Sequence, residues 1–143
     1  MVFVDTWAWI ALAVRRDQHH SAAKRQHVDF VNSGSLYVTT DWIIGEMITQ
    51  IYRVAAAKQA ESFVGSVLQA IDSGAYRMEK VSSRQFAAAW QLRKKYSDKP
   101  SISFVDFTSM VVMLDLGIND VFTGDKEFAQ VNLGFRLLPP AID

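Results

Sequence analysis

The chain has 143 residues, 50% of them hydrophobic, and its 15 basic and 15 acidic side chains leave no net formal charge. A chain of this length buries the core of one ordinary domain, so we expect a single domain over residues 1–143. Because cysteine is absent, thiolate metal sites and cysteine nucleophiles are excluded, and any metal would need oxygen or histidine ligands. The first apolar run has no basic leader, which argues against a signal peptide or membrane span and favours a cytoplasmic protein.

The first third of the chain alternates strand and helix patterns. Residues 1–4 form a valine-rich run that is typical of a buried parallel strand, and an almost wholly apolar helix is predicted over residues 7–14. After a polar break, a second helix covers residues 20–32. The second strand, residues 36–39, is followed by Thr39-Thr40-Asp41, which supplies caps for a third helix.

The middle of the chain is mainly helical. The third helix is predicted over residues 42–57, and residues 58–71 continue as a helix. A third strand over residues 76–81 carries several charges, which indicates an edge position in the sheet. Ser82 and Ser83 then cap a helix that reaches Tyr96, with Phe86 and Trp90 expected to pack inward.

The last third contains a helix that opens at Ser103 and stops at Gly117, followed by a short strand, Val121-Phe122. A second helix is predicted from Asp125 through Val131, and residues 135–138 make a last strand. Five short strands alternating with helices predict an α/β fold. We expect a three-layer α/β/α sandwich around a short, mostly parallel five-stranded sheet.

Four acidic residues lie either directly after a strand or near the start of a helix. Asp5 follows the first strand, Glu46 lies early in the third helix, and Asp106 and Asp125 lie at two later helix starts. In a parallel sheet all four would be delivered to the carboxyl edge, where open α/β folds place their sites. Each also has an ordinary structural alternative. Asp5 and Asp125 could be helix caps, Asp106 could close a capping box with Ser103, and Glu46 could be a solvated helix residue.

A cluster of four carboxylates would repel itself unless a cation offset the charge. A hard divalent ion such as Mg²⁺ prefers oxygen ligands and needs only a few carboxylates, because it retains several waters. Such an ion supports phosphodiester hydrolysis. The sequence therefore favours a metal-dependent nuclease site at this edge.

Several short sequence segments occur in the order and spacing seen in PIN-domain proteins, and the chain resembles the VapC toxin ribonucleases most closely. These segments are MVFVDTWAWIAL, HHSAAKR, the helix containing GEM, SFVDFTSM and VFTGDKEF. The resemblance implies a Mg²⁺- or Mn²⁺-dependent endoribonuclease that is often dimeric and is inhibited by an antitoxin whose tail occupies the cleft.

The same resemblance implies roles for particular residues. Asp5, Glu46 and Asp106 match the metal-holding acids of the family, and Asp125 completes the site directly or through water. Thr6 and Thr123 match the hydroxyl positions often found beside those acids. Asp120 competes with Asp125 for the fourth place, but it is expected at the opposite end of the strand.

Other functions fit the residues less well. A phosphoacceptor receiver domain would need paired acids after the first strand and an acceptor Asp after the third, whereas Asp5 stands alone and the third strand ends at Lys80-Val81. A haloacid-dehalogenase-type phosphatase would need D-x-D where the chain has Asp5-Thr6-Trp7. A catalytically inert or RNA-processing PIN-fold module remains the main alternative.

Further groups of side chains have two interpretations. The basic strip Arg93, Lys94, Lys95 and Lys99 is either a solvated helix end or a surface that steers RNA. His19, His20 and His27 suit surface or cap roles, since neighbouring residues on a helix do not face one direction. The tryptophans favour core or dimer packing over base stacking, and their apolar surface favours a homodimer.

Overall fold

A computed structural model describes residues 1–140 and contains five strands and six α-helices in that part of the chain. The strands are β1 (Val2–Val4), β2 (Tyr37–Thr40), β3 (Tyr76–Glu79), β4 (Asp120–Phe122) and β5 (Arg136–Leu138). The helices are α1 (Thr6–Ala13), α2 (His20–Asn32), α3 (Asp41–Val54), α4 (Ala57–Asp72), α5 (Ser83–Lys95) and α6 (Phe104–Leu116). A 3₁₀ turn covers Lys126–Ala129.

The strands form one sheet in the order β3-β2-β1-β4-β5, and every neighbouring pair is parallel. The predicted fold class is therefore confirmed, as is the edge position of β3. In the centre of the sheet, Val4 of β1 is in register with Phe122 of β4. The carboxyl ends of the strands thus lie along one side of the sheet, called here the carboxyl edge, where Asp5 and Thr123 directly follow Val4 and Phe122.

The core lies around β1, β4 and α6. Every residue of β1 is buried, and α6 is buried continuously from Asp106 to Met113. The buried part of α6 begins at Asp106, so this residue of the first turn is packed at the boundary of the core. Both ends of α6 are determined by nearby residues. Ser103 caps its start, and Gly117 ends it with a left-handed φ of 67°.

The third helix was predicted to run to residue 57, but α3 ends at Val54. Ala55 and Ala56 adopt extended backbone conformations there, and α4 then begins as a separate helix at Ala57. The helix predicted from Asp125 through Val131 is likewise reduced to a 3₁₀ turn. Only residues 123–135 connect β4 to β5, which leaves little room for a full crossover helix.

The inward packing predicted for Phe86 and Trp90 is wrong. Their exposed fractions are 48% and 51%, whereas the small Ala89 is fully buried. A small side chain lets α5 approach α6 closely, and the large rings then lie at the margin of the contact. Phe86 packs there on Phe104, with ring centroids 5.0 Å apart. Among residues 1–140, no helix is both long enough and apolar enough to span a bilayer.

Candidate active site

Asp5 connects the two central strands at the carboxyl edge. Its backbone N–H donates to the Phe122 carbonyl oxygen at 3.2 Å, and its carboxylate Oδ2 accepts a hydrogen bond from the Thr123 hydroxyl at 2.8 Å. The residue is only 4% exposed. It stands at the N-cap position of α1, but its side chain makes no capping hydrogen bond. The capping role considered for Asp5 is therefore wrong, and its carboxylate is held by β4 instead.

The turn Thr123-Gly124-Asp125 follows β4 and fixes a second acid. Thr123 is fully buried, and its hydroxyl oxygen accepts a hydrogen bond from the Asp125 backbone N–H at 3.0 Å. The Asp125 carboxylate caps the 3₁₀ turn by accepting from the Glu127 N–H at 3.1 Å. Thr123 thus joins two acids through one hydroxyl group, and the capping role considered for Asp125 is confirmed.

Asp106 brings a third acid from the first turn of α6. The predicted capping box is present, because Asp106 Oδ2 accepts from the Ser103 N–H at 3.1 Å and the Asp106 N–H donates to the Ser103 hydroxyl at 3.0 Å. The residue is 8% exposed. Capping uses Oδ2 alone, which leaves Oδ1 for another partner. A structural role and a functional role are therefore compatible in this side chain.

The electrostatics show that the acids interact. The pKa of Asp5 is raised to about 7, mainly by burial and also by the charges of Asp106 and Asp125, against the lowering effect of the Thr123 hydrogen bond. The pKa of Asp106 is raised to about 6, mainly by burial and also by repulsion from Asp125 and Glu46, against the lowering effect of its hydrogen bonds with Ser103. The pKa of Asp125 is raised by burial. Glu46 is half-buried on α3 and acts on Asp106, so it lies on the α6 side of the group.

The donor set fits a hard divalent cation. All four side chains offer carboxylate oxygens, and the Thr6 hydroxyl beside them is buried without a hydrogen-bond partner. Within residues 1–140, however, no three acidic or histidine side chains stand ready to ligate one ion together. Mg²⁺ is commonly bound through one or two carboxylates plus waters and substrate phosphates, so the arrangement suits this ion without a complete protein cage.

Asp120 lies away from this group. It is the first residue of β4, at the opposite edge of the sheet from Asp125. Both of its carboxylate oxygens accept from the Arg136 guanidinium, at 2.8 and 2.7 Å. This acid already has a cation and a structural role, as its expected position at the far end of the strand suggested.

The four side chains of the basic strip make different kinds of contact. The Arg93 guanidinium donates to the carbonyl oxygens of Ile102, Tyr96 and Lys99. It also lies 4.8 Å above the ring of Phe107. Arg93 therefore fixes the loop that leads to α6, a role that sequence reasoning missed. The Lys94 and Lys95 amino groups lie over the rings of Trp90 and Tyr96, and Lys99 pairs with Asp98.

The histidines lie outside the group of acids. His20 Nδ1 is 2.8 Å from the Ala11 carbonyl oxygen, and His27 Nδ1 is 2.7 Å from the Tyr37 hydroxyl. His19 is exposed at the N-cap position of α2, and its ring centroid is 5.2 Å from that of Trp7. The expected surface role agrees with the position of His19, which makes no capping hydrogen bond with its side chain, whereas His20 and His27 are half-buried.

A further contact at the site was missed from the sequence. A Cβ added to Gly124 would lie 2.3 Å from Cζ2 of the Trp7 ring, so only glycine allows the ring to lie against this turn. The contact joins the start of α1 to the segment between Thr123 and Asp125. The glycine between Thr123 and Asp125 was the available signal, but nothing in the sequence indicated its partner.

Comparison with known proteins agrees with this architecture. The sequence pattern of the PIN domain family matches residues 2–133. The chain therefore belongs to the PIN domain family.

Within that family, the chain is similar to particular proteins of Mycobacterium tuberculosis. It is 30% identical over 129 residues to the "23S rRNA-specific endonuclease VapC20" of strain H37Rv, covering 90% of this chain and 92% of that protein. The same protein of strain CDC 1551 / Oshkosh matches equally. The crystal structure of M. tuberculosis VapC20, titled a sarcin-ricin loop cleaving toxin, superposes with a TM-score of 0.79 at 28% identity, covering 92% of this chain and 95% of that one. The predicted resemblance to the VapC toxins is confirmed.

Proposed function

We propose that this chain is a metal-dependent endoribonuclease of the VapC toxin type, with Asp5, Glu46, Asp106 and Asp125 as its catalytic acids. One observation supports this site most strongly. Asp5 is buried, oriented by Thr123 and repelled by Asp106 and Asp125. None of the ion pairs found in residues 1–140 involves these acids. A buried group of like charges without a counter-charge is what a cation site requires.

Asp5, Glu46 and Asp106 would hold Mg²⁺ or Mn²⁺, with Asp125 completing the site directly or through water. Such an ion supplies Lewis acidity toward water and toward a phosphate group. The protein's own contribution is orientation. Thr123 donates to one oxygen of Asp5 and, through the same hydroxyl, fixes the backbone of Asp125. Ser103 holds Asp106 in the first turn of α6.

The acids also control protons. With a pKa of about 7, Asp5 holds its proton for part of the time near neutral pH when no cation is present. Binding of a cation favours the ionised form and so releases that proton. Hydrolysis of RNA forms a bond from water oxygen to phosphorus and breaks the bond from phosphorus to the ribose oxygen, which leaves with a proton as the attacking water loses one.

The substrate class follows from the relatives, which are named for cleavage of 23S rRNA and of the sarcin-ricin loop. We extend RNA as a substrate class to this chain, together with a cognate antitoxin as its inhibitor. The chain is further proposed to act in the cytoplasm as one domain and to form a homodimer. The PIN family pattern matches residues 2–133, which supports a single domain.

Nuclease assays on purified protein test this function. Wild-type protein with Mn²⁺ should cleave ribosomal RNA, and EDTA should stop the reaction. Asp5→Asn should abolish cleavage with the fold intact, whereas Asp120→Asn should cleave like the wild type because Asp120 lies at the other edge of the sheet. Equal activity in wild type and Asp5→Asn, with contaminating nuclease excluded, would remove Asp5 from the site.

Expression in cells separates a toxin from an inert or processing module. Wild-type protein produced without an antitoxin should arrest growth, and Asp5→Asn should not. Harmless expression of a folded, RNA-cleaving wild type would favour a processing nuclease. Harmless expression of a folded protein that cleaves no RNA would favour the inert module.

A further inference from the structure

A small pocket opens directly beside the carboxylate group. It is called here the Trp7 pocket and is lined by Trp7, His19, Thr123, Gly124, Lys126 and Pro139. Its volume is about 220 Å³, below the roughly 300–1,000 Å³ typical of pockets for drug-sized ligands. The pocket therefore suits a single ring system. Thr123 and Gly124 are also part of the turn that positions Asp125, so the pocket and the site share a wall.

Two aromatic rings form one side of the pocket. Trp7 and His19 have ring centroids 5.2 Å apart and planes inclined by 43°. Trp7 is half-buried and His19 is exposed, so both rings have surface free toward solvent. Gly124 holds the Trp7 ring in place, because any larger residue there would overlap it. The two tilted rings lie side by side, and Trp7 is two residues along the chain from Asp5.

The rest of the pocket lining combines apolar contacts with a cation. Pro139 offers an apolar surface, and the exposed Lys126 lies next to Asp125 along the chain. Flat rings that carry a nearby phosphate match such a lining, since bases stack on aromatic side chains and lysine contacts the backbone phosphate. An apolar side chain of a partner protein would use the rings but would gain nothing from Lys126.

We propose that the Trp7 pocket holds the base of a nucleotide adjacent to the cleaved phosphodiester, so that Trp7 and His19 determine which bond is cut. This inference rests on the proposed ribonuclease function and adds a specificity site to it. The pocket lies close to the acids because Trp7 follows Asp5 within one helical turn and Gly124 precedes Asp125. A base stacked there would therefore belong to a nucleotide close to the reacting phosphate.

The test uses RNA with single missing bases. Cleavage sites of the wild-type protein are first mapped on ribosomal RNA with Mn²⁺. Short synthetic RNAs spanning a mapped site then carry an abasic residue at each position in turn. For the wild type, one abasic position next to the cut bond should raise KM by about five- to a hundredfold, the range expected for loss of one base–aromatic stack, with a smaller effect on kcat.

Variants connect that effect to the pocket. In His19→Ala the intact RNA should show the raised KM, and the abasic substitution should add little further. His19→Phe keeps a ring and should restore the wild-type response. Tyr52→Ala removes an exposed ring on α3, outside the pocket, and should respond to the abasic residue as the wild type does.

The outcomes distinguish a failure of the pocket inference from a failure of the proposed ribonuclease function. If the wild type cleaves RNA but His19→Ala keeps the full response to the abasic residue, the pocket inference is overturned and the nuclease stands. The same holds if His19→Ala changes only inhibition by an antitoxin, since the pocket then contacts protein. A folded wild type that cleaves no RNA with Mn²⁺ overturns both.

Discussion

Acidic side chains at the two edges of the sheet have opposite environments. At the amino edge, defined by Asp120 and Arg136, the acid is matched by a guanidinium and both side chains reach solvent. At the carboxyl edge, Asp5 and Asp106 are both buried, and their pKa values are raised mainly by burial and also by repulsion from neighbouring acids. Ordinary structure would not retain such an arrangement, because burying unpaired charge costs stability. This contrast supports the proposal that the carboxyl edge binds a cation, whereas Asp120 and Arg136 form an ion pair at the amino edge.

The largest expected effect is the loss of catalysis when a buried acid at the carboxyl edge is neutralised. Asp106→Asn removes an oxygen ligand but can still accept the capping hydrogen bond from Ser103. We expect RNA cleavage to fall by roughly a hundredfold or more, since loss of one well-placed electrostatic group costs about 10²–10³ in rate. Single-turnover cleavage with Mn²⁺ measures the change.

The matched control is Ser103→Ala, which removes the cap and keeps the acid. It should lower the free energy of unfolding by about 0.5–2 kcal/mol with a much smaller loss of cleavage. If Ser103→Ala and Asp106→Asn lost equal activity, Asp106 would act only as a helix cap.

The second prediction concerns the stability of the metal-free protein against pH. Folded Asp5 and Asp106 keep their protons up to pKa values of about 7 and 6, whereas the unfolded chain releases them near the ordinary value of 3.8. Between those values the folded state binds more protons, so stability falls as pH rises from about 4 to about 7. In EDTA, the free energy of unfolding should be lower at about pH 8 than at about pH 5, by on the order of a few kcal/mol.

Asp5→Asn separates this effect from other titrations. His27, whose pKa is lowered by burial, acts in the opposite direction in both proteins. Urea unfolding should show that Asp5→Asn is more stable than the wild type at the higher pH and loses much of the slope. The wild type and Asp5→Asn could instead show the same rise in the free energy of unfolding with pH. That result would show that Asp5 ionises normally in the folded protein.

The third prediction compares one glycine from each edge. Gly124→Ala places a Cβ against the Trp7 ring, which should cost about 1–3 kcal/mol of stability through overpacking. Because Gly124 lies between Thr123 and Asp125, cleavage should fall as well.

Gly117→Ala is the control, since it meets no atom within 4 Å but must adopt a φ of 67°. It should lose about 1 kcal/mol with normal cleavage per folded molecule. Thermal unfolding and nuclease assays measure both variants. Equal losses of activity in the two would show that the turn after β4 has no special part in the site.

The local sequence predicted the elements whose signals are local. The cap at Ser82, the capping box at Ser103, the stop at Gly117 and the buried strand before Asp5 depend on neighbours within a few residues, and all are present. The position of Asp5 and Thr123 at one edge also followed, because parallel pairing fixes where strand ends lie.

Contacts between distant segments could not be predicted in this way. The Thr123–Asp5 hydrogen bond joins residues 118 positions apart, and the overlap of Trp7 with Gly124 depends on how two turns approach in space. Phe86 and Trp90 show the same limit, since helical spacing does not reveal that Ala89 makes the close contact. The chain's resemblance to its family carried the residue roles, but not these contacts.

Titration calorimetry with Mn²⁺ at about pH 6.5, in two buffers of different ionisation enthalpy, tests the cation site most directly. The wild type should bind Mn²⁺ and release protons, because Asp5 and Asp106 must ionise to do so, and Asp120→Asn should behave in the same way. Asp5→Asn and Asp106→Asn should bind much more weakly and release fewer protons. Unchanged binding in both of these variants, or no binding by the wild type, would contradict a cation site at the carboxyl edge.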